Sequence, residues 1–171
     1  DIFFFGGDLT GNATVDNITA ANSNNIQTVV VRANQVGKKV TFQNNASTFN
    51  AVTAEAADGV FVEQTITADT GAITLEGDSN DTADVNDKVE IAAGLTLFAN
   101  TDINLDATTG GISALGALNL HADRDITIND DLSSAGALTI LADYDQGSSG
   151  ILTIDQGATV STTNNDDINL Q

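Results

Sequence analysis

Apolar and polar residues alternate at period two in short runs along most of this chain, and the runs themselves recur. In Leu118-Asn-Leu-His-Ala122 the leucines and the alanine face one way from an extended backbone while Asn119 and His121 face the other, the pattern of a strand with one buried side. Gly94-Leu-Thr-Leu-Phe-Ala-Asn100 is echoed by Ala117-Leu-Asn-Leu-His-Ala-Asp123 and again by Ala137-Leu-Thr-Ile-Leu-Ala-Asp143, at steps of 23 and then 20 residues. A second phrase, Asp102-Ile-Asn-Leu-Asp106, returns as Asp125-Ile-Thr-Ile-Asn129, and a third, Gly111-Ile112-Ser113, returns as Asp131-Leu132-Ser133. Three short strands per repeat, separated by Gly, Asp, Asn and Ser turns, cannot bury an apolar face alone. They can if the chain coils and each coil stacks on the last. The pattern therefore predicts an all-β parallel β-helix, a solenoid of about 20–23 residues per coil with inward Leu and Ile ladders about 4.8 Å apart.

The whole of residues 1–171 reads as one such segment, clearest over 71–171. Ile73, Leu75 and Gly77 stand 22 residues before Leu95, Leu97 and Ala99, which extends the repeat back by one coil and makes Glu76 the counterpart of Phe98, His121 and Leu141. Strand-sized pieces also occur at Val29–Val31, Val40–Phe42, Phe49–Val52, Val60–Val62 and Ile66. Residues 1–27 are less regular, with an apolar Ile2-Phe-Phe-Phe5 run, and read as a first coil or its cover. Asn50–Asp58, rich in Ala, is the nearest approach to a helix and is too short to stand alone. Gly77–Lys88 and Asp143–Gly150 read as a loop and an extended turn. Ile168 and Leu170 keep the interior alternation with no polar cap, so continuation of the chain or stacking on a neighbour is expected. About seven coils and a rod about 35 Å long follow from the strand spacing.

Composition narrows the function classes. There is no Cys, Met, Pro or Trp, so thiol and disulfide chemistry are excluded. The start at Asp1 without any Met suggests a processed or excised segment, with no signal peptide in it. No apolar run reaches the length of a membrane span. With 24 acidic residues against 5 basic ones, a net charge of −19, nucleic acid and anionic membrane surfaces are poor partners. The acidity serves solubility of a β-rich surface, and it offers oxygen ligands to divalent cations. Asp78, Asp81, Asp84 and Asp87 recur every three residues in one Gly- and Asn-containing loop, a dense supply of the ligands calcium takes, although the spacing is neither the EF-hand nor the nonapeptide pattern. Asp143, Asp145, Asp166 and Asp167 read as turn acids.

The single histidine, His121, lies near Asp123, Arg124 and Asp125, residue types suited to acid–base chemistry. Its alternation makes it an outward strand residue followed by a turn, and no catalytic assignment is drawn from it. The sequons at Asn12, Asn17, Asn45 and Asn80 occur at the frequency that the Asn, Ser and Thr content alone produces. The outward row Thr96, Asn119, Thr139 is too mixed for a flat threonine array.

The residues Gly116 to Asp143, with their Ala-Leu-Asn-Leu-His-Ala-Asp and Ala-Leu-Thr-Ile-Leu-Ala-Asp phrases, resemble the repeats of filamentous-haemagglutinin-like bacterial exoproteins. The resemblance implies a right-handed parallel β-helix and a non-catalytic extracellular stalk, fibre or adhesin segment, secreted or at the cell surface, whose partners are neighbouring coils or copies of itself. It requires no cofactor, and calcium is the one ion the sequence invites. The competing readings are a polysaccharide-active β-helix like pectate lyase, which would gather acidic and basic groups on one outward face, and a phage tail fibre or spike.

Overall fold

The computed structural model describes residues 2–5, 11–147 and 150–171, and these form three parallel sheets wound into a solenoid of about six turns. The first sheet stacks β1 (Ile2–Phe5), β3 (Val29–Ala33), β6 (Val52–Ala56), β9 (Ile73–Glu76), β12 (Ile103–Asp106), β15 (Ile126–Ile128) and β18 (Leu152–Ile154). The second stacks β2 (Ala13–Val15), β4 (Val40–Phe42), β7 (Val60–Val62), β10 (Val89–Ile91), β13 (Ile112–Ala114), β16 (Leu132–Ser134) and β19 (Val160–Thr162). The third stacks β5 (Ser47–Phe49), β8 (Ile66–Ala68), β11 (Leu95–Ala99), β14 (Leu118–Ala122), β17 (Leu138–Ala142) and β20 (Ile168–Leu170).

The repeated phrases lie directly on one another. Leu95, Leu97 and Ala99 pair with Leu118, Leu120 and Ala122, and Leu118 and Leu120 pair in turn with Leu138 and Ile140. Ile103 and Leu105 pair with Ile126 and Ile128, and Ile112 with Leu132. Period-two alternation sends these residues inward, where Leu97, Leu118, Leu120, Leu138 and Ile140 are wholly buried. Each such side chain contributes about 1.5–3 kcal/mol by leaving water. Register is held because a slip of one residue would turn the whole apolar set outward.

Within residues 1–27, whose positions 1 and 6–10 lie outside the described residues, two strands and a short helix stand beside the first full coil. β1 and β2 pair with β3 and β4, while in place of a third strand the chain makes a one-turn helix, α1 (Ala20–Ser23), over β5. Buried Ser23 donates its hydroxyl to the Thr48 carbonyl at 3.0 Å, and the Asn50 side-chain amide donates to the carbonyls of Asn24 and Ile26 at 3.1 and 3.0 Å. With the Thr48 N–H donating to the Ile18 carbonyl at 2.7 Å, both backbone groups of Thr48 on the outer edge of β5 are satisfied.

Two expectations are corrected. Ile73 and Leu75 do not sit over Leu95 and Leu97. They belong to the first sheet and pair with Ile103 and Leu105, while Leu97 and Phe98 lie over Ile66 and Thr67. Glu76 is accordingly a neighbour of Asp106, and Thr67 is the counterpart of Phe98, His121 and Leu141. The cause is the long Gly77–Lys88 segment, which leaves the coil at a corner, so a constant step counted across it lands on the wrong sheet. The same segment and other long corners reduce the expected seven coils to about six, or roughly 30 Å of axial rise at the strand spacing. The Ala-rich stretch within Asn50–Asp58, too short for a helix, forms strand β6, with Val52, Ala54 and Ala56 buried.

Candidate functional site

The acidic loop emerges at the corner between the first and second sheets, where three successive coils meet. Below it runs Ala57-Asp58-Gly59, joining β6 to β7. Above it runs Ala107–Gly111, joining β12 to β13. The loop leaves through Gly77, whose N–H donates to the Asp106 carbonyl at 2.9 Å, and Ser79, whose N–H donates to the Ala56 carbonyl at 2.9 Å. It returns through Lys88, whose carbonyl accepts from Val60 N–H at 2.9 Å. Both flanking corners carry glycine against the returning segment. A Cβ on Gly110 would lie 1.3 Å from the Asp87 carbonyl oxygen, and one on Gly59, whose φ is +107°, would lie 2.5 Å from that of Asn86. The backbone at Asp87 is thus held between two coils that have no room for a larger residue.

Within this frame the four aspartates are treated differently. Asp84 and Asp87 converge with Asp58 from the coil below, one carboxylate oxygen of each lying within 4.8 Å of the others. Asp78 is fully buried and joins Asp87 through Thr109 of the coil above, whose hydroxyl lies 2.7 Å from Asp78 Oδ2 and 3.2 Å from Asp87 Oδ2. That hydroxyl has one proton for the two carboxylates. Asp87 Oδ2 also accepts the Asp84 N–H, and Asp58 Oδ1 accepts Gly37 N–H at 2.7 Å. Asp81 is exposed and accepts from the Thr108 hydroxyl at 3.1 Å. Oδ1 of Asp78 and Oδ1 of Asp87 are buried without a hydrogen-bond partner. Asp69 Oδ1 shares that condition; among the described residues only Asp87 of these three belongs to a group of three candidate ligands, while Asp78 is joined to it by Thr109.

The first sheet carries negative charge up to this corner. Arg32, Glu55, Glu76 and Asp106 stand in outward register on successive coils, and Arg32 forms an ion pair with Glu55. Burial above all, with Asp106, Asp78 and Asp81 nearby, pushes Glu76 up to about 7, against the opposing effect of the Asp78 N–H donated to its Oε1 at 2.8 Å. Burial likewise raises Asp106, opposed by the Asn129 side-chain amide.

Asp58 and Thr109 are members of this corner that the sequence pattern does not single out, and Glu76, which that pattern aligns with His121, borders it instead. Once the coil register is known, Asp58 is visible as the acid in the corresponding corner one coil earlier. Elsewhere the sequence candidates take structural roles. His121 is half-buried on the outer face of the third sheet, stacked on Tyr144 with ring centroids 4.4 Å apart, and burial lowers its pKa. Asp123 accepts from Asn100, and Asp125 Oδ1 accepts Ile151 N–H at 2.9 Å, so both carboxylates serve neighbouring corners. Of the sequon residues, Asn12 accepts Lys39 N–H, Asn45 donates to Asp16, Asn80 closes a turn onto Thr82 N–H, and Asn17 has a left-handed φ of 54°.

Three stacked parallel sheets and in-register inward ladders define the molecule as a parallel β-solenoid. Comparison with known family models, curated proteins and solved structures gave no match.

Proposed function

We propose that this chain is a structural, non-catalytic segment of an extracellular bacterial fibre or adhesin stalk. The observation that carries the reading is the unbroken stacking of the coils in three parallel sheets, a form that lengthens by adding coils without changing its cross-section. The register holds to β18, β19 and β20, which pair in parallel with the coil before them. In such a fibre each coil is aligned by the coil it stacks on, so that strength and length come from the same backbone ladders. The extracellular setting rests on the resemblance of Gly116–Asp143 to haemagglutinin-like repeats and on the acidic, cysteine-free composition.

The purified chain is examined by electron microscopy at rising concentration, beside sedimentation and a polysaccharide-cleavage panel. Single rods, or filaments of rods joined end to end, without sugar release support the stalk. Cleavage of an acidic polysaccharide would replace it with an enzyme, and a tight parallel trimer would replace it with a spike.

A further inference from the structure

We propose that the corner between the first and second sheets is a calcium site built from Asp58, Asp84 and Asp87, with Asp78 completing its acidic wall, and that the ion clamps the 77–88 loop to the coil beneath. The proposal is independent of the fibre reading. The first observation is convergence: carboxylate oxygens from two coils lie within 4.8 Å of one another, the spacing that oxygens around one hard cation adopt when each lies about 2.3–2.6 Å from it. The second concerns satisfaction. Asp87 is 3% exposed and contributes a carboxylate oxygen to the cluster, and its Oδ1 has no hydrogen-bond partner; fully buried Asp78 also has an unpartnered Oδ1 and is linked to Asp87 through the Thr109 hydroxyl. A buried carboxylate oxygen without a donor is costly, and a cation supplies what the protein's own donors do not.

The neighbouring cations do not fill this role. Lys88 Nζ lies 2.6 Å from Glu90 and over the ring of Phe61, where Lys39 Nζ also sits, 4.7 Å from the centroid. Thr109 offers one proton between two acceptors. The donor set is entirely oxygen, with no imidazole or thiolate, which favours calcium over zinc or copper. Packing fixes the geometry as well, since Gly110 and Gly59 hold the backbone at Asp87 and Asn86 from above and below.

Isothermal titration calorimetry of the full chain, freed of metal with EGTA and dialysed into about 150 mM NaCl to screen general attraction, tests this with CaCl2 as the probe. One site per chain is expected, with a Kd between about 10⁻⁷ and 10⁻³ M, the range spanned by sensor and extracellular oxygen sites. Asp84→Asn and Asp87→Asn should each weaken binding by about tenfold or more, since each removes a charged ligand. Asp84 is exposed, so its variant keeps the fold if Asp87→Asn does not, with circular dichroism as the check. The double variant D166N/D167N, on exposed residues of the last coil, should bind as the parent does. Absence of saturable binding up to about 10 mM calcium, a concentration well above any site in that range, would overturn the proposal, as would unchanged affinity in folded D84N or equal loss in D166N/D167N.

Discussion

Replacing Glu76 by Gln should stabilise this solenoid above neutral pH and leave it unchanged in acid. Glu76 lies between Glu55 and Asp106 on adjacent coils, in a ladder where like charges face each other directly. Its carboxyl is raised from 4.5 to about 7, first by burial and then by Asp106, Asp78 and Asp81. Between those two pH values the folded chain holds a proton that the unfolded chain has lost, so stability falls as pH rises through the window, and the penalty is complete above pH 7. At about 1.4 kcal/mol per pH unit the interval from 4.5 to about 7 corresponds to roughly 3 kcal/mol. The side chain is only half-buried, and screening reduces this to about 1–2 kcal/mol. Gln keeps an oxygen for the Asp78 N–H and removes the charge. Urea denaturation of parent and E76Q in EGTA should show curves that coincide near pH 4 and separate by about 1–2 kcal/mol near pH 8, with E76Q the more stable. A difference independent of pH, or a less stable E76Q at pH 8, would refute the reasoning.

Other perturbations probe the core and the corner. Leu120→Ala removes a fully buried side chain from the centre of the Leu97–Leu120–Ile140 ladder and should cost about 2–5 kcal/mol in the same urea assay. Gly110→Ala puts a methyl group onto the Asp87 carbonyl; the loop must shift, which faster proteolysis within residues 77–88 and weaker calcium binding would report. Ser134→Ala strips a buried hydroxyl from the Gly116 and Gly136 carbonyls, 2.8 and 2.9 Å away, and should lower stability by about 1–3 kcal/mol.

The parallel coil, its three strands and the vertical partners of residues 95–142 were legible from the sequence because side-chain alternation and coil period act over short, uninterrupted distances. Leu118 on Leu95 and Ile126 on Ile103 required no knowledge of the corners. Legibility failed at the Gly77–Lys88 loop, where Ile73 was matched to Leu95 although it pairs with Ile103. Alternation says that a residue faces inward, not which of three sheets it joins. The acidic corner was half legible for the same reason. Local density pointed to Asp84 and Asp87, whereas Asp58 and Thr109 enter through vertical stacking between coils, and evenly spaced Asp81 turns aside to Thr108.

The stacking of each strand on the coil beneath also governs how the chain tolerates errors of length. Each coil takes its alignment from hydrogen bonds to the previous coil rather than from a count of residues along the backbone, as the pairing of Ile73 with Ile103 across the 77–88 loop demonstrates. An added or lost residue is therefore a local fault: at a corner it lengthens or shortens a bulge, and inside a strand it inverts the faces of that strand alone. The next corner takes up the slack, and the coils beyond it resume their alignment. A linear molecule so built confines damage to one storey, and its corners are the natural places to graft new peptide.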